Sequence, residues 1–455
     1  MGVVGLAKHT MDLTTGSVTK KFLLFTLPIL ASNLLQQFYN AADTMVVGKF
    51  ASETALAAVG STGSLITLIL SLFTGLSAGT NVACANHFGA KNQDKLRACM
   101  HVSLLLGLFC GIGLTVVGVV FAKPLQVMMG SPYNVIDQAT LYIRIYFLGV
   151  PASLIYNFAS AILRAHGDTK RPMIILALSG VVNVLLNLLF VIALHMDVEG
   201  VALATIISQY LSMAAALYLL FDPKGGCAME RRELKIHKES VVEIVRIGVP
   251  SGVNGIVFSL SNVILQSTIN SLGDVIMAAN SASGSISGFV CLIAATFSNA
   301  CVSFAGQCRG AKQYKRIDSL LMKSIAGAVV GVCAASLLIT LIPRILLGLY
   351  SNNPEVIDNS VDRMILVSWG YVLYAVGECT SGCLRGMGYS TMPTVLNICG
   401  ICLPRVLWVI FIFPLCPTFF MLTVCYPISW LISAVMQVVL YLHTRRKLRA
   451  AAVWQ

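Results

Sequence analysis

The chain carries the same unit twice, the second copy about 221 residues after the first. Gly89-Ala90-Lys91 returns as Gly310-Ala311-Lys312, and Arg164, Gly167 and Pro172 return as Arg385, Gly388 and Pro393, all at that spacing. Pro28, Gly107, Gly111 and Pro124 return as Pro250, Gly327, Gly331 and Pro343 with drifts of one or two residues. Whatever fold satisfies one half must therefore satisfy the other.

The material of that fold is set by the scarcity of charge. With 57% hydrophobic and 11% charged residues among 455, the chain cannot cover a water-facing surface of its size. Polar punctuation leaves about twelve apolar segments, near 20–47, 53–84, 98–123, 136–163, 171–193, 198–221, 241–270, 274–307, 318–343, 355–384, 391–414 and 417–443. Most reach the roughly 20 helical residues that cross a hydrocarbon core. The pattern predicts an all-α polytopic membrane protein of about twelve transmembrane helices in two pseudo-symmetric six-helix bundles, 20–221 and 241–443. A cytoplasmic N-terminal segment (1–19), a polar linker (222–240) and a basic tail (444–455) complete the chain.

A net charge of +12 raises the possibility of nucleic acid, but the basic residues are placed otherwise. On this topology 25 of the 31 Lys and Arg fall on one side, including Lys20, Lys21, Lys91, Lys170, Lys235, Lys315 and Arg445. That asymmetry orients a multi-pass protein with both termini cytoplasmic, and predicts a plasma-membrane protein without a nucleic-acid partner. Both halves then start on the same side. They are expected to be parallel repeats about a pseudo-two-fold axis along the membrane normal, flanking a central pathway suited to alternating access. The first 19 residues lack the apolar core of a cleavable signal. Most of the 14 cysteines lie in apolar segments, where cysteine behaves as a small hydrophobe. No His or acidic residue completes a ligand set around Cys399 and Cys402, and no G-x-x-x-x-G-K-[ST] loop or nucleophile constellation occurs. The chain reads as a non-enzyme without a cofactor.

Polar residues inside spans point to chemistry, because lipid makes each costly unless it faces protein or water. Asn33, Gln36, Asn40 and Asp43 recur at steps of three and four on one face of the first span. The seventh span carries Ser259, Asn262, Gln266 and Asn270 in the same way. Such stripes either line a cavity or hydrogen-bond neighbouring helices. Asp43 is ionisable: it either exchanges protons or cations along a gradient or caps a helix or loop at the membrane interface. Glu378 in the tenth span and Arg405 in the eleventh stand where the first half has Asn157 and Val184. They are expected to pair, either as a structural bridge or as a coupling element. Pro28 and Pro250 are expected to bend the first and seventh spans.

The order Asp43-Thr44, Val47-Gly48, Leu56-Ala57-Ala58, Gly89-Ala90-Lys91, then Arg164 through Gly167-Asp168-Thr169 to Pro172, resembles the multidrug and toxic compound extrusion (MATE) family. Gly306-Gln307, Gly310-Ala311 and Arg385-Gly386-Met387-Gly388 repeat it in the second half, so the likeness spans roughly 20–445. The resemblance implies an antiporter that exports organic cations and other amphipathic, drug-like compounds in exchange for H+ or Na+. It also implies a cation site, sodium at Asp43 included, built from an Asp in the first span, two residues one turn apart in the fifth and a Thr in the sixth. Asp43, Asn183 and Thr205 match, while Asn187 stands where many members have Asp. Another branch of the family uses C-terminal acids, and Glu378 lies about one turn from the expected place. A monomer is expected. Lipid-linked saccharide flippases and polysaccharide exporters of the same superfamily are the alternative, which a strongly cationic cavity would favour.

Overall fold

Lipid offers a backbone no hydrogen-bonding partner, so apolar segments of spanning length close their bonds internally as helices. The computed structural model describes residues 10–50, 53–128, 133–222, 227, 229, 235–351 and 353–450; the side chains at 40–45, 47–50, 53–57, 60, 61, 64, 133 and 134 lie outside the described set. Twelve long helices follow: α1 Val18–Phe50, α2 Glu53–Gly89, α3 Gln93–Met128, α4 Tyr133–Ala165, α5 Lys170–Ala193 and α6 Val198–Phe221 in the first half. The second half has α7 Lys238–Asn270, α8 Asp274–Gly310, α9 Tyr314–Leu341, α10 Pro354–Gly386, α11 Thr391–Leu415 and α12 Phe419–Ala450, with a short helix at Pro343–Gly348. Eleven are long and apolar enough to cross a membrane. The remaining one, α10, carries Glu355, Asp358, Asp362, Arg363, Glu378 and Arg385 along its 33 residues. The expected all-α, twelve-helix membrane protein is what forms.

The exterior is apolar where that of a water-soluble protein is polar, and polar side chains join the apolar core. Phe109, Val120, Leu178 and Met392 are about three-fifths exposed, as lipid-facing side chains are, while Thr80, Ser103, Asn187 and Gln437 are fully buried. Cys84, Cys99, Cys379 and Cys383 are fully buried too, filling core positions as small apolar groups.

The repeated motifs are helix stops. Lys91 and Lys312 both take left-handed backbone (φ 55° and 57°), and Asn92 and Gln313 donate back to the His87 and Cys308 carbonyls. Gly167 and Gly388 do the same after α4 and α10 (φ 83° and 81°), where a glycine carries no Cβ penalty and lets the last carbonyls find donors. Equal stops give equal lengths. In the first half α4 packs against α2, α3 and α6; in the second α10 packs against α8, α9 and α12, the repeat-related set.

The chain divides into two compact units. One holds Leu27–Gly252 and the other Val253–Gln455 together with Leu13–Thr26, so the division falls inside α1 and α7, within a few residues of Pro28 and Pro250. The start of α7 belongs with the first unit because α2 and α7 meet backbone to backbone: a Cβ on Gly75 would lie 2.2 Å from the Gly252 nitrogen, and one on Gly79 2.5 Å from the Ile244 oxygen. Gly75 and Gly79 on α2, and Gly248 and Gly252 on α7, each have G-x-x-x-G spacing, which removes side chains from one helical face and lets two helices touch. His87 of α2 pairs with Glu243 of α7 at 2.9 Å beside this contact. The stretch before α1 is held in the second unit, where Arg316 donates to the Leu13, Thr15 and Gly16 carbonyls at 3.0, 2.7 and 2.8 Å. Gln307 Oε1 in turn accepts from the Leu13 amide at 2.9 Å.

Candidate functional site

Each unit holds a polar cavity, and the two are built from repeat-related residues. Steps of four, three and four bring Ser153, Asn157, Ser160 and Arg164 onto one face of α4. They line a cavity of about 180 Å³ with Ser32, Asn33 and Gln36 of α1 and with Pro172, Leu176, Gln209 and Ser212 of α5 and α6. The same register on α10 is Tyr374, Glu378, Ser381 and Arg385. A cavity of about 120 Å³ lies against Tyr374 and Glu378 and is closed by Asn254 and Phe258 of α7 and Asn397 of α11. Trp430 and Ser433, which lie beside Glu378 and Asn397, occupy the places of Gln209 and Ser212. The two cavities share a register and differ in chemistry.

In the second unit the arginine is neutralised. Arg385 Nη2 donates to Glu378 Oε1 at 2.5 Å, with the two side chains 16% and 14% exposed. Ser298 Oγ stands 3.3 Å from the guanidinium and 3.4 Å from the carboxylate. In the first unit Asn157 replaces that acid and spends its Nδ2 on the Ser153 carbonyl at 3.0 Å.

The expected pairing of Glu378 with Arg405 is corrected by this geometry. Residues 378 and 385 are seven apart, two turns along one face of α10, and a long side chain near a helix end reaches back toward the N-terminus. Arg405 is 1% exposed and bonds neutral groups instead, Asn262 Oδ1 at 3.0 Å and Ser429 Oγ at 3.2 Å. Its guanidinium also lies over Tyr426, Phe258 and Trp430 at 4.7, 5.5 and 5.8 Å. Nη2 makes no hydrogen bond. Arg363, which the sequence gave no reason to single out, donates to Ser283 at 2.9 Å and lies 5.7 Å from the same Tyr426 ring. The aromatic clustering around residue 426 is the signal available, since rings that face a cation replace part of its hydration.

Substituting Arg405 by lysine is expected to lower stability by about 2 kcal/mol, because a compact ammonium cannot span Asn262 and Ser429 while stacking on rings. Thermal unfolding followed by tryptophan fluorescence measures this, Trp430 being one of the rings involved. An unchanged midpoint would remove the arginine from the stabilising core.

The other sequence-derived residues are placed as follows. Asn187 Nδ2 donates to Asn183 Oδ1 at 3.3 Å, both side chains buried, and Asn187 is the last residue before α5 widens into a π-helical turn at Leu188–Ala193. Thr205 spends its hydroxyl on the Val201 carbonyl at 3.0 Å. Gln36 lines the first cavity, Asn262 holds Arg405, and Gln266 accepts from Asn280 at 2.9 Å while donating to Asn270 at 2.7 Å. The stripes therefore mix both uses, cavity lining and interhelical bonding. Pro28 and Pro250 lie inside α1 and α7. The side chains of Asp43 and Asn40 lie outside the described residues. Three donors that could hold a metal, those of His87, Cys99 and Glu243, come within 4.8 Å of one another, although the ion pair already satisfies two of them.

Two repeated six-helix halves, each with a buried polar cavity among lipid-facing helices, define a multi-pass membrane transporter. The MatE family model matches twice, over residues 28–189 and 250–410, once per repeat and together more than half the chain. The chain belongs to the MatE family. It is similar to the probable multidrug resistance protein YoeA of Bacillus subtilis, 29% identical over 397 residues and 85% of each chain. YpnP of the same organism, also a probable multidrug resistance protein, is 26% identical over 389 residues, covering 85% of this chain and 86% of that one. Among solved structures, a MOP superfamily transporter from Pyrococcus furiosus superposes with a TM-score of 0.89 over 98% of each chain at 22% identity, a likeness of fold. As a family member the protein is a secondary transporter and not an enzyme.

Proposed function

We propose that the protein exports organic, cationic or amphipathic drug-like compounds from the cytoplasm by alternating access, in exchange for H+ or Na+. It works in the plasma membrane as a monomer with both termini cytoplasmic, an orientation that rests on the one-sided distribution of Lys and Arg. The observation that carries the reading is the Glu378–Arg385 pair at the wall of a cavity. A carboxylate whose ionic partner is one guanidinium can trade that partner for a proton or a cation, and each trade changes the net charge of the cavity. Asp43, with Asn183, Asn187 and Thr205, is the second coupling position, following the family pattern. Multidrug resistance relatives support the cargo class.

Vesicles loaded with a fluorescent amphipathic cation, with proton and sodium gradients imposed separately, test the coupling. One gradient is expected to drive export and the other not. Asp43→Asn is expected to abolish gradient-driven export while leaving the protein in the membrane; undiminished export by that variant assigns coupling to Glu378 alone. Export driven equally well with neither gradient ends the antiport reading. A flippase for lipid-linked saccharides is the second reading, and the first cavity bears on it, because its charged wall is a single arginine and not a cationic cluster.

A further inference from the structure

We propose that the cavity along α4 binds the carboxylate or phosphate group of an amphipathic molecule, with Arg164 as the counter-ion. The proposal deepens the exporter reading by naming one end of a cargo, and rests on it only for the claim that the bound molecule is carried. The internal repeat supplies the comparison that identifies the site. Arg164 and Arg385 occupy the same place in the two halves, but the acid that neutralises Arg385 is replaced by Asn157 on the α4 side. Among the described residues no carboxylate pairs with Arg164, and the nearest acid along the chain, Asp168, is engaged by Arg171. What surrounds the guanidinium is neutral and polar.

One further observation points to a ligand and not to a hydrated helix end. Ser160, one turn before Arg164 on the cavity face, is 3% exposed, and its hydroxyl has no partner besides the neighbouring Tyr156 hydroxyl. Gln209 closes the far side of the cavity, with its Oε1 turned onto Gly149. A hydroxyl donor beside a guanidinium fork is the donor pair that a carboxylate or phosphate oxygen takes up, each bond strengthened by charge. A volume of about 180 Å³ is too small for a whole drug-sized molecule and fits a charged head group or a single ring, the apolar remainder lying outside. Charge selects the occupant: an ammonium would meet uncompensated repulsion from Arg164 in a site with little water to screen it.

Direct binding tests the proposal without any gradient. The full chain, purified in an uncharged maltoside detergent, is titrated calorimetrically with 1-naphthoate, its amide and 1-naphthylmethylammonium, which share a ring system and differ in charge. Naphthoate is expected to bind and the other two to bind at least about tenfold more weakly. Arg164→Gln is expected to lose naphthoate by at least about tenfold and Arg164→Lys to keep part of it, because the point charge survives without the fork. Asn157→Glu, which copies the second half into the first, is expected to abolish naphthoate binding while preserving the fold, since it supplies the internal partner that Arg385 already has. Competition by phosphatidylglycerol identifies the natural occupant as a lipid head group, and naphthoate binding unaffected by that lipid identifies it as a soluble anion. Equal or tighter binding of the ammonium, or naphthoate binding that survives both Arg164→Gln and Asn157→Glu, overturns the proposal. A protein that binds naphthoate but exports nothing refutes the exporter reading and leaves this site standing.

Discussion

Replacing Glu378 by glutamine is expected to stop gradient-driven export and to destabilise the second unit by about 3–5 kcal/mol, the cost of leaving a buried partner charge without its counter-ion. Both consequences follow from one contact. Arg385 has the carboxylate as its ion-pair partner and Ser298 as a weaker neighbour at 3.3 Å, and its Nε is buried without a hydrogen bond. A neutral amide can still donate or accept, yet it cannot neutralise a guanidinium that is 16% exposed. The double variant Glu378→Gln, Arg385→Gln removes both charges and is expected to recover a large part of the lost stability while remaining inactive in transport. A double-mutant cycle on thermal stability reads the coupling directly. Additive losses in that cycle would mean that the two side chains do not stabilise each other, and export retained by Glu378→Gln would move coupling to Asp43. The first half shows why the stability effect belongs to this cavity: Asn157 and Arg164 coexist there in a larger, hydroxyl-rich space.

Much of this fold is legible in the sequence because lipid leaves few alternatives. Twelve apolar runs become twelve helices, and the Gly-Ala-Lys and Arg-to-Pro motifs recur because each half must stop its second and fourth helices in the same way. Helical periodicity also finds a cavity face, as Gln36 shows, whereas Asn262 on the matching stripe of α7 bonds Arg405. Partner choice is less accessible. As charges within spans, Arg405 and Glu378 are expected to pair, but the structure satisfies Arg405 with an amide, a hydroxyl and three rings, none of which carries the signature of a counter-ion. Arg385 enters the sequence reading only as a repeat marker, although it lies seven residues from Glu378, two turns along one helical face and beyond the usual one-turn pairing. Arg164 hides in the same way. Its meaning emerges only once the repeat-related acid is seen to be occupied in one half and missing in the other.

Placing leucine at Gly79 or Gly248 is expected to prevent stable assembly of the first unit. The reason is that the atoms nearest a new Cβ there are backbone, the one side-chain atom being Leu76 Cδ2, 3.1 Å from a Cβ on Gly248. At Gly79 it would fall 2.5 Å from the Ile244 oxygen and 2.8 Å from the Gly248 nitrogen, and at Gly248 2.6 Å from the Leu76 Cα. A flexible side chain could turn aside; a helix backbone can only move as a body. Even alanine must force α2 and α7 apart along the shared face, which costs about 1–3 kcal/mol by analogy with overpacked cores, and leucine more. Separation would also pull His87 from Glu243, since that pair spans the same two helices at 2.9 Å. Gly113 and Gly288 are the controls, because a Cβ on either meets nothing within 4 Å. Alanine at those positions is expected to be neutral or stabilising by about 0.5–1 kcal/mol, glycine being the poorer helix former. Fluorescence-detected size exclusion and thermal unfolding of the four alanine variants, with leucine at 79 and 248, separate the two classes. If Gly79→Ala and Gly248→Ala match Gly113→Ala and Gly288→Ala in yield and midpoint, the close contact of α2 with α7 is not what holds the start of α7 in the first unit.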